Sequence, residues 1–561
     1  MMKEEIKKFF KGDVMDDKET LIKYSHDASL FEVTPKLVAF PRDSEDVKNL
    51  VKFVNASDPA DKVSITARSA GTDMSGGPLN DSIILDFTRF MNRLISFEVS
   101  PPVSNDKDNK YNLLPQITVQ PGMYYRDFEK ITSEKNFMLP SFPASKDLCA
   151  MGGIVSNNSG GEKSLIYGKT ENYVESIKIV LSDGNEYIVK PLNETELREK
   201  IKQGGFEGNL YKELNKLIIE NKQIIKDAKP KVSKNSAGYY VWNIVEPDGR
   251  FNLCKLVVGS QGTLGMVTEV TFRLVPIKKY SRLFLIFLKD LDTLPGLVNT
   301  VLKFGPESVE SYDDKTLKLA EHFLPDFLKN KNFTQKIKFL WSFWPDVFMF
   351  LKSGFPKLVL MVEFTDENEE EINKKIKNLK IEIDKLHLPN RAAQIGADEN
   401  KYWEIRRDSF NLLRKHVRGK RTAPFIDDVV VRPEFLSEFL PKLNNILKDY
   451  PELEYTIAGH AASGNFHIIP LVDMSNPKIP QIILDVSDKV YDLVAEYEGS
   501  TTAEHNDGII RTPYLSKIYN SEIIEIFRKV KEIFDPRYIF NPGKKVGGDK
   551  KYIKEHIAIS H

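Results

Sequence analysis

The sequence predicts an α+β protein of two or three domains, on three observations. A chain of 561 residues exceeds what one compact core organises, and its 41% hydrophobic content is ample to fill more than one. From Lys36 to Phe97 strand-like and helix-like patterns alternate. Three runs of glycine and other small residues adjoin strands, spread over about 200 residues, a spacing suited to a long ligand laid across two lobes.

In chain order, Leu37 to Pro41 is a strand, Asp43-Ser44-Glu45-Asp46 is a helix start with Val47 to Val54 as its helix, and Val63 to Thr66 is a second strand. The first small-residue loop follows, Ala67 to Gly77, and then the strand Ser82 to Asp86. Such a loop lets backbone N–H groups approach phosphate oxygens. It is not G-x-G-x-x-G and no helix clearly follows, which disfavours a Rossmann site; taken alone it is equally well a structural turn. Val99 to Pro115, rich in Pro, Asp, Asn and Lys, is expected to link two lobes. The second lobe opens with the strand Gln116 to Gln120 and the helix Tyr125 to Asn136. The run Met151 to Gly161 then leaves room for a flat ligand. Tyr167 to Thr170, the strand Val174 to Leu181 and a third loop within Leu256 to Thr268 complete the lobe.

Eighty basic residues balance eighty acidic ones, so the electrostatic footprint of a nucleic-acid binder is missing. Cys149 and Cys254 show neither a CxxC nor an iron-sulfur spacing and are expected to be buried thiols of a reducing compartment. The N-terminus lacks the apolar core of a secretory signal, which predicts a cytoplasmic protein, with peripheral contact at the inner face of a membrane as the one variation. The most membrane-like stretch, Phe339 to Phe355, is interrupted by Pro345, Asp346 and Lys352. A helical insertion packed on the core is expected there, in preference to a membrane or partner-docking surface.

Three of the nine histidines cluster late in the chain, as His460, His467 and His505. Glu454 to Gly459 and Phe466 to Pro470 have the pattern of strands joined by a turn, a hairpin that sets His460 and His467 side by side. Imidazoles suit divalent transition metals, and Glu504 completes a set of three ligands with open positions for water or substrate. His505 then stands beside the metal, able to move protons. Two histidines seven apart are also compatible with two ordinary side chains.

The order of Arg68-Ser69-Ala70-Gly71-Thr72, Pro121-Gly122-Met123, Met151 to Gly161, Tyr167 to Thr170 and Gly259 to Thr268 resembles the FAD-binding domain of the vanillyl-alcohol-oxidase superfamily, the p-cresol-methylhydroxylase (PCMH) type. The second half resembles the FAD-linked D-2-hydroxy-acid dehydrogenases, D-lactate and D-2-hydroxyglutarate dehydrogenases among them. Gly459 to His467, Ala503 to Gly508 and Asp535 to Lys545 carry that likeness. Together the motifs cover about Pro35 to Val546.

The resemblance implies a FAD-binding domain over residues 1–280, in lobes of about 1–99 and 115–280. A substrate (cap) domain, an antiparallel sheet covered by helices, is implied over 281–497, with a segment 498–561 returning to the flavin. Noncovalent FAD would be held by Arg68, Ser69, Ala70, Gly71, Thr72, Ser75, Gly76, Pro143, Gly152, Gly153, Ser156, Asn157, Gly160, Gly161, Tyr167, Gly262, Gly265, Val267 and Asn541. Thr72 stands where some relatives attach the flavin through a histidine. His460, His467 and Glu504 would hold a divalent metal, Zn, Mn or Fe; His505 would be the base and Arg406 the grip on the substrate carboxylate. The implied reaction is oxidation of a D-2-hydroxy acid such as D-lactate to the 2-oxo acid, with hydride transfer to flavin N5. Electrons would pass to a separate acceptor, a quinone or an electron-transfer protein, since the chain lacks the cysteines of an iron-sulfur domain. Two positions leave the family pattern: Ser463, where an Asp is usual, and Asn506, where a Gly is usual. A non-redox enzyme of the alkyl-glycerone-phosphate-synthase type and a silent flavin-binding electron-transfer subunit are the alternatives.

Overall fold

The computed structural model describes residues 2–99, 114–322, 332–416 and 420–558. Most of the expected linker, residues 100–113, lies outside them.

Three sheets carry the fold. The first has the order Asp13–Met15, Leu37–Phe40, Ile83–Asp86, Ile65–Arg68. Its first pair is antiparallel and the others parallel. Leu37–Phe40 and Ile83–Asp86 are buried throughout, as the unbroken apolar runs require of parallel strands covered on both faces. Helix Ser44–Ala56 begins where the Asp43 side chain accepts from the Asp46 N–H, and packs through Val47, Leu50, Val51 and Val54.

The second sheet is antiparallel, in the order Leu94–Glu98, Gln116–Val119, Met266–Arg273, Val174–Val180, Glu186–Val189. Met266–Arg273 alternates buried and half-buried residues, and its buried face joins a core completed by helices Gly205–Glu220 and Ser521–Phe534. Cys149 and Cys254 are both free and buried in this core.

The third sheet is larger and antiparallel. Its order is Asn390–Ala392, Tyr280–Leu288, Leu358–Asp366, Ser308–Asp313, Glu454–His460, Asn465–Val472, Arg421–Thr422, with Val429–Val430 also paired to Asn465–Val472. Period-two alternation divides its side chains between two cores. Phe284, Ile286, Val309, Leu360, Phe466 and Ile468 face a broad helical layer, whereas Leu285, Tyr312, Met361 and Ala458 face helix Ala397–His416 through Tyr402, Trp403 and Ile405. The second face matters for function, because Glu310, His460 and His467 share it.

The aromatic stretch is helical, Phe333–Trp341 followed by Trp344–Ser353. The expectation of a packed insertion holds for one side only. Phe343, Met349 and Phe350 pack on the core beside helix Ala397–His416, while Trp341, Trp344, Phe348 and Leu351 are 70, 66, 70 and 82% exposed.

The last segment threads back through the molecule. The Ile65 N–H donates to Ile539 O at 2.8 Å and the Asn541 N–H to Ile65 O at 2.9 Å, while the Val430 N–H donates to Ser500 O at 3.1 Å. Residues after about 497 thus contact both the first sheet and the third.

Candidate active site

The hairpin Glu454–His460 and Asn465–Val472 pairs Ala458 with His467 and His460 with Asn465, so the two histidines are diagonal neighbours on one face. Its turn is the short helical piece Ala461–Ser463 followed by Gly464 at φ +66°. A Cβ at Gly464 would stand 1.9 Å from Val431 O, so both conformation and space demand glycine there. The two Nε2 atoms are 3.4 Å apart, and Glu504 Oε1 is 3.1 Å from that of His460 and 3.5 Å from that of His467. Ligands bonded at about 2.1 Å to one octahedral or tetrahedral cation stand about 3.0–3.4 Å from each other, so the donor set fits a metal. The His505 ring stacks on His467 with centroids 4.9 Å apart.

Buried carboxylates orient the rings. Glu310 Oε1 is 2.6 Å from His460 Nδ1, and Asp427 reaches both remaining rings, Oδ1 to His467 Nδ1 at 3.2 Å and Oδ2 to His505 Nδ1 at 2.6 Å. With Nδ1–H donated in each case, the Nε2 lone pairs are available at the centre and toward the cavity. Burial alone would lower the pKa of His467, but Asp427 and Glu504 outweigh it and raise it to about 10 in the metal-free chain. His505 is also raised, with Asp427 and Asp428 overcoming burial. Burial pushes Glu310 up, yet His460 and Arg406 bring it down to about 2; Glu504 is held well below the carboxylate range, Lys234 and His460 overcoming its burial.

Asp428, His467, Glu504 and His505 also offer atoms within 4.8 Å of one another. Asp428 is nevertheless committed elsewhere. It accepts from Thr502 Oγ1 at 2.6 Å, from the N–H groups of Glu504 and His505 at 2.8 and 2.7 Å, and from Asn465 Nδ2 at 3.0 Å. It fastens the loop that carries Glu504, which leaves His460, His467 and Glu504 as the convergent donors not already committed to the backbone.

These groups form one wall of a cavity of about 790 Å³ whose other walls are the three small-residue runs. Of the residues expected to contact cofactor, metal or substrate, all but Ser75, Gly76, Tyr167 and Asn541 line it. A Cβ at Gly153 would meet nothing nearer than Ser69 Cβ at 3.9 Å, and one at Gly262 nothing nearer than Ala67 Cβ at 3.4 Å, so both glycines leave room for a flat ligand. Gly152 serves contact between loops instead, since its Cβ would stand 2.7 Å from Pro121 and Ser69. The cavity therefore suits a dinucleotide laid across both lobes.

The four exceptions act behind the wall. Asn541 is fully buried and donates from Nδ2 to Gly77 O at 2.9 Å and Gln261 O at 2.7 Å, clamping the first loop to the third. The Ser75 hydroxyl bonds Asp73, Gly76 packs on Phe31 and Ile509, and Tyr167 O accepts from the Tyr173 hydroxyl. Arg68 donates to the carbonyls of Tyr24 and His26 from the cavity's edge. Arg406 does reach the cavity, but its Nε and Nη2 lie 3.1 and 3.0 Å from Glu310 Oε2. One edge of its fork is spent within the protein. Asn506 takes the left-handed conformation, φ +70°, that a glycine would, and donates to Gly259 O at 2.9 Å and Asn157 O at 3.2 Å. Its side chain stitches the segment carrying His505 to two of the loops.

Glu310, Asp427 and Lys234, the last 3.1 Å from Glu504 Oε2, were not singled out by sequence reasoning. A faint signal exists for Asp427, as an acidic pair inside the apolar run Phe425 to Val431. Glu310 is one charge in an alternating strand, and Lys234 lies in a polar loop.

An FAD binding domain matches residues 35–189, and the C-terminal domain of FAD linked oxidases matches residues 277–545. The chain pairs an FAD binding domain with the C-terminal domain of FAD linked oxidases. The chain is 27% identical over 551 residues to the D-2-hydroxyglutarate dehydrogenase of Escherichia coli (strain K12), covering 95% of the chain and 50% of that protein. The chain thus spans about half the length of the first curated relatives it matches. It is 25% identical to the D-lactate dehydrogenase of Archaeoglobus fulgidus, over 93% of the chain and 96% of that protein. Among solved structures, p-cresol methylhydroxylase with substrate bound superimposes with a TM-score of 0.64 at 15% identity, over 95% of this chain and 94% of that one, which shows the shared PCMH-type fold.

Proposed function

We propose that this chain oxidises a D-2-hydroxy acid, D-lactate or a close analogue, to the 2-oxo acid with metal assistance, and that its electrons leave to a separate acceptor. One observation carries the reading: His460, His467 and Glu504 converge within 3.5 Å of one another on the same cavity that the small-residue loops line, with His505 stacked beside them.

FAD, bound noncovalently along the loops, supplies a two-electron acceptor. A divalent cation on His460, His467 and Glu504 supplies Lewis acidity that makes a hydroxyl easier to deprotonate. The protein's own residues do the rest. Asp427 fixes the Nδ1–H of His505, leaving Nε2 to take the hydroxyl proton, and the same carboxylate stabilises the imidazolium that results. Glu310 holds Arg406 against the sheet so that the rest of its guanidinium can orient the substrate carboxylate, which fixes the face of the α-carbon turned to the flavin. Oxidation of R–CHOH–COO⁻ to R–CO–COO⁻ releases two electrons and two protons: His505 would accept the hydroxyl proton, and the α-hydrogen with the electron pair would go to the acceptor that FAD would supply.

Anaerobic mixing of the purified, flavin-loaded protein with a panel of D- and L-2-hydroxy acids tests this, watching the flavin band near about 450 nm. Bleaching by one or more D acids and not by their L forms is expected. No bleaching by any acid would sink the proposal.

A further inference from the structure

Helices Phe333–Trp341 and Trp344–Ser353 each carry an apolar stripe turned outward. Phe333, Ile337 and Trp341, spaced i, i+4, i+8, are 77, 41 and 70% exposed. Trp344, Val347, Phe348 and Leu351, spaced i, i+3, i+4, i+7, are 66, 44, 70 and 82% exposed. A surface helix ordinarily presents polar residues on that side. The inward side is already occupied. Phe343, Met349 and Phe350 pack on the core, and buried Asp346 accepts from Arg391 Nη2 at 2.8 Å and from the Tyr402 hydroxyl at 2.6 Å, while also pairing with fully buried Lys401. Rolling the pair over to hide its tryptophans would strip Asp346 from those partners, so the stripes are held outward.

Among the described side chains of the two helices the outward charge has one sign, Lys336 and Lys338, and the single acidic residue is the inward Asp346. Lys357 shares Asp314 with Lys318 at the edge of the patch.

We propose that this helical pair is a docking surface for an anionic phospholipid bilayer. Tryptophan and phenylalanine beside lysine match the layered chemistry of a bilayer interface, where indole rings sit at headgroup level, aliphatic and phenyl groups enter the acyl boundary and ammonium groups meet lipid phosphates. The helices have 9 and 10 residues, too short to span, and no helix among the described residues is long and apolar enough to cross a membrane. A second copy of the chain docked about a twofold axis would set lysines against lysines. Helix Ala397–His416, which supplies Lys401 and Tyr402 as anchors, also carries Arg406 to the cavity, so docking would hold the cavity at a fixed height above the lipid.

Flotation of the flavin-loaded full chain with phosphatidylcholine vesicles, and with vesicles also containing phosphatidylglycerol, tests the assignment. The wild type is expected to float with the anionic vesicles, less so at high salt, with a blue shift of tryptophan emission. The triple variant Trp344→Ser, Phe348→Ser, Leu351→Ser and the pair Lys336→Glu, Lys338→Glu should each weaken vesicle binding by more than about tenfold, with flavin content, Tm and activity in solution unchanged. Failure of the wild type to float, equal flotation of the triple variant, or equal binding to neutral and anionic vesicles would each overturn the proposal. So would a concentration-dependent dimer that the triple variant abolishes while vesicles are ignored.

Discussion

Asp427 is the residue on which the proposed site depends most, since one carboxylate orients both the His467 ring, proposed to ligate the metal, and His505, the proposed base. Asp427→Asn keeps the shape but can accept from only one imidazole, forcing the other into the wrong tautomer. Flavin reduction should slow by about 10–100-fold. Because Asp427 raises the pKa of His505, the acidic limb of the pH–rate profile should also move to lower pH; a slower rate with an unmoved profile would assign Asp427 to structure alone. At this scale the histidines, Glu504 and the small-residue loops were picked out through the order of their motifs along the chain, since neither a histidine pair seven apart nor one small-residue loop is specific by itself. Glu310 and Lys234 were not. A charge in an alternating strand looks solvent-facing until something covers that face, and only the packing of helix Ala397–His416 reveals that Glu310 is enclosed.

Among elements, the third sheet and its covering helix are held partly by carboxylates that burial would otherwise discharge. Glu310 and Asp398 are both held at about 2, below their ordinary 4.5 and 3.8. A depressed folded-state pKa gives stability that is complete above the unfolded value and is lost as pH falls through the folded one. The Tm should therefore fall between about pH 4.5 and pH 2, with Glu310 and Asp398 together contributing on the order of a few kcal/mol. Glu310→Gln should start from a lower Tm near neutral pH and show a shallower decline on acidification; an unchanged slope would remove Glu310 from the acid response. Strands and helices were largely readable from apolar period and capping residues, as Asp43 and helix Ser44–Ala56 illustrate. The outward stripe of the aromatic pair was not. Apolar residues on two sides of a helix do not say which side the core will take, and that choice was made by Asp346 pairing with Arg391 and Lys401, far along the chain.

For the whole molecule, metal occupancy is the point at which the proposed chemistry is most directly tested. Dialysis against a chelator should abolish flavin reduction by hydroxy acid while leaving flavin absorbance intact, with activity restored by Zn, Mn or Fe; full turnover in the stripped protein would dismiss the metal. A cation must displace the proton that His467 keeps up to about pH 10, so apparent affinity should drop about tenfold for each pH unit below that, measurable by titration with proton release. The return of the last segment has a consequence for how such a chain is made. Synthesis runs from the N-terminus, and the first two sheets can begin to assemble while the ribosome is still at work. Glu504, His505 and the clamp at Asn541 emerge only afterwards. A polypeptide cut short before them would have the loops but neither Glu504 nor His505, so under the proposed reaction it should bind flavin poorly and leave it unreduced by hydroxy acid.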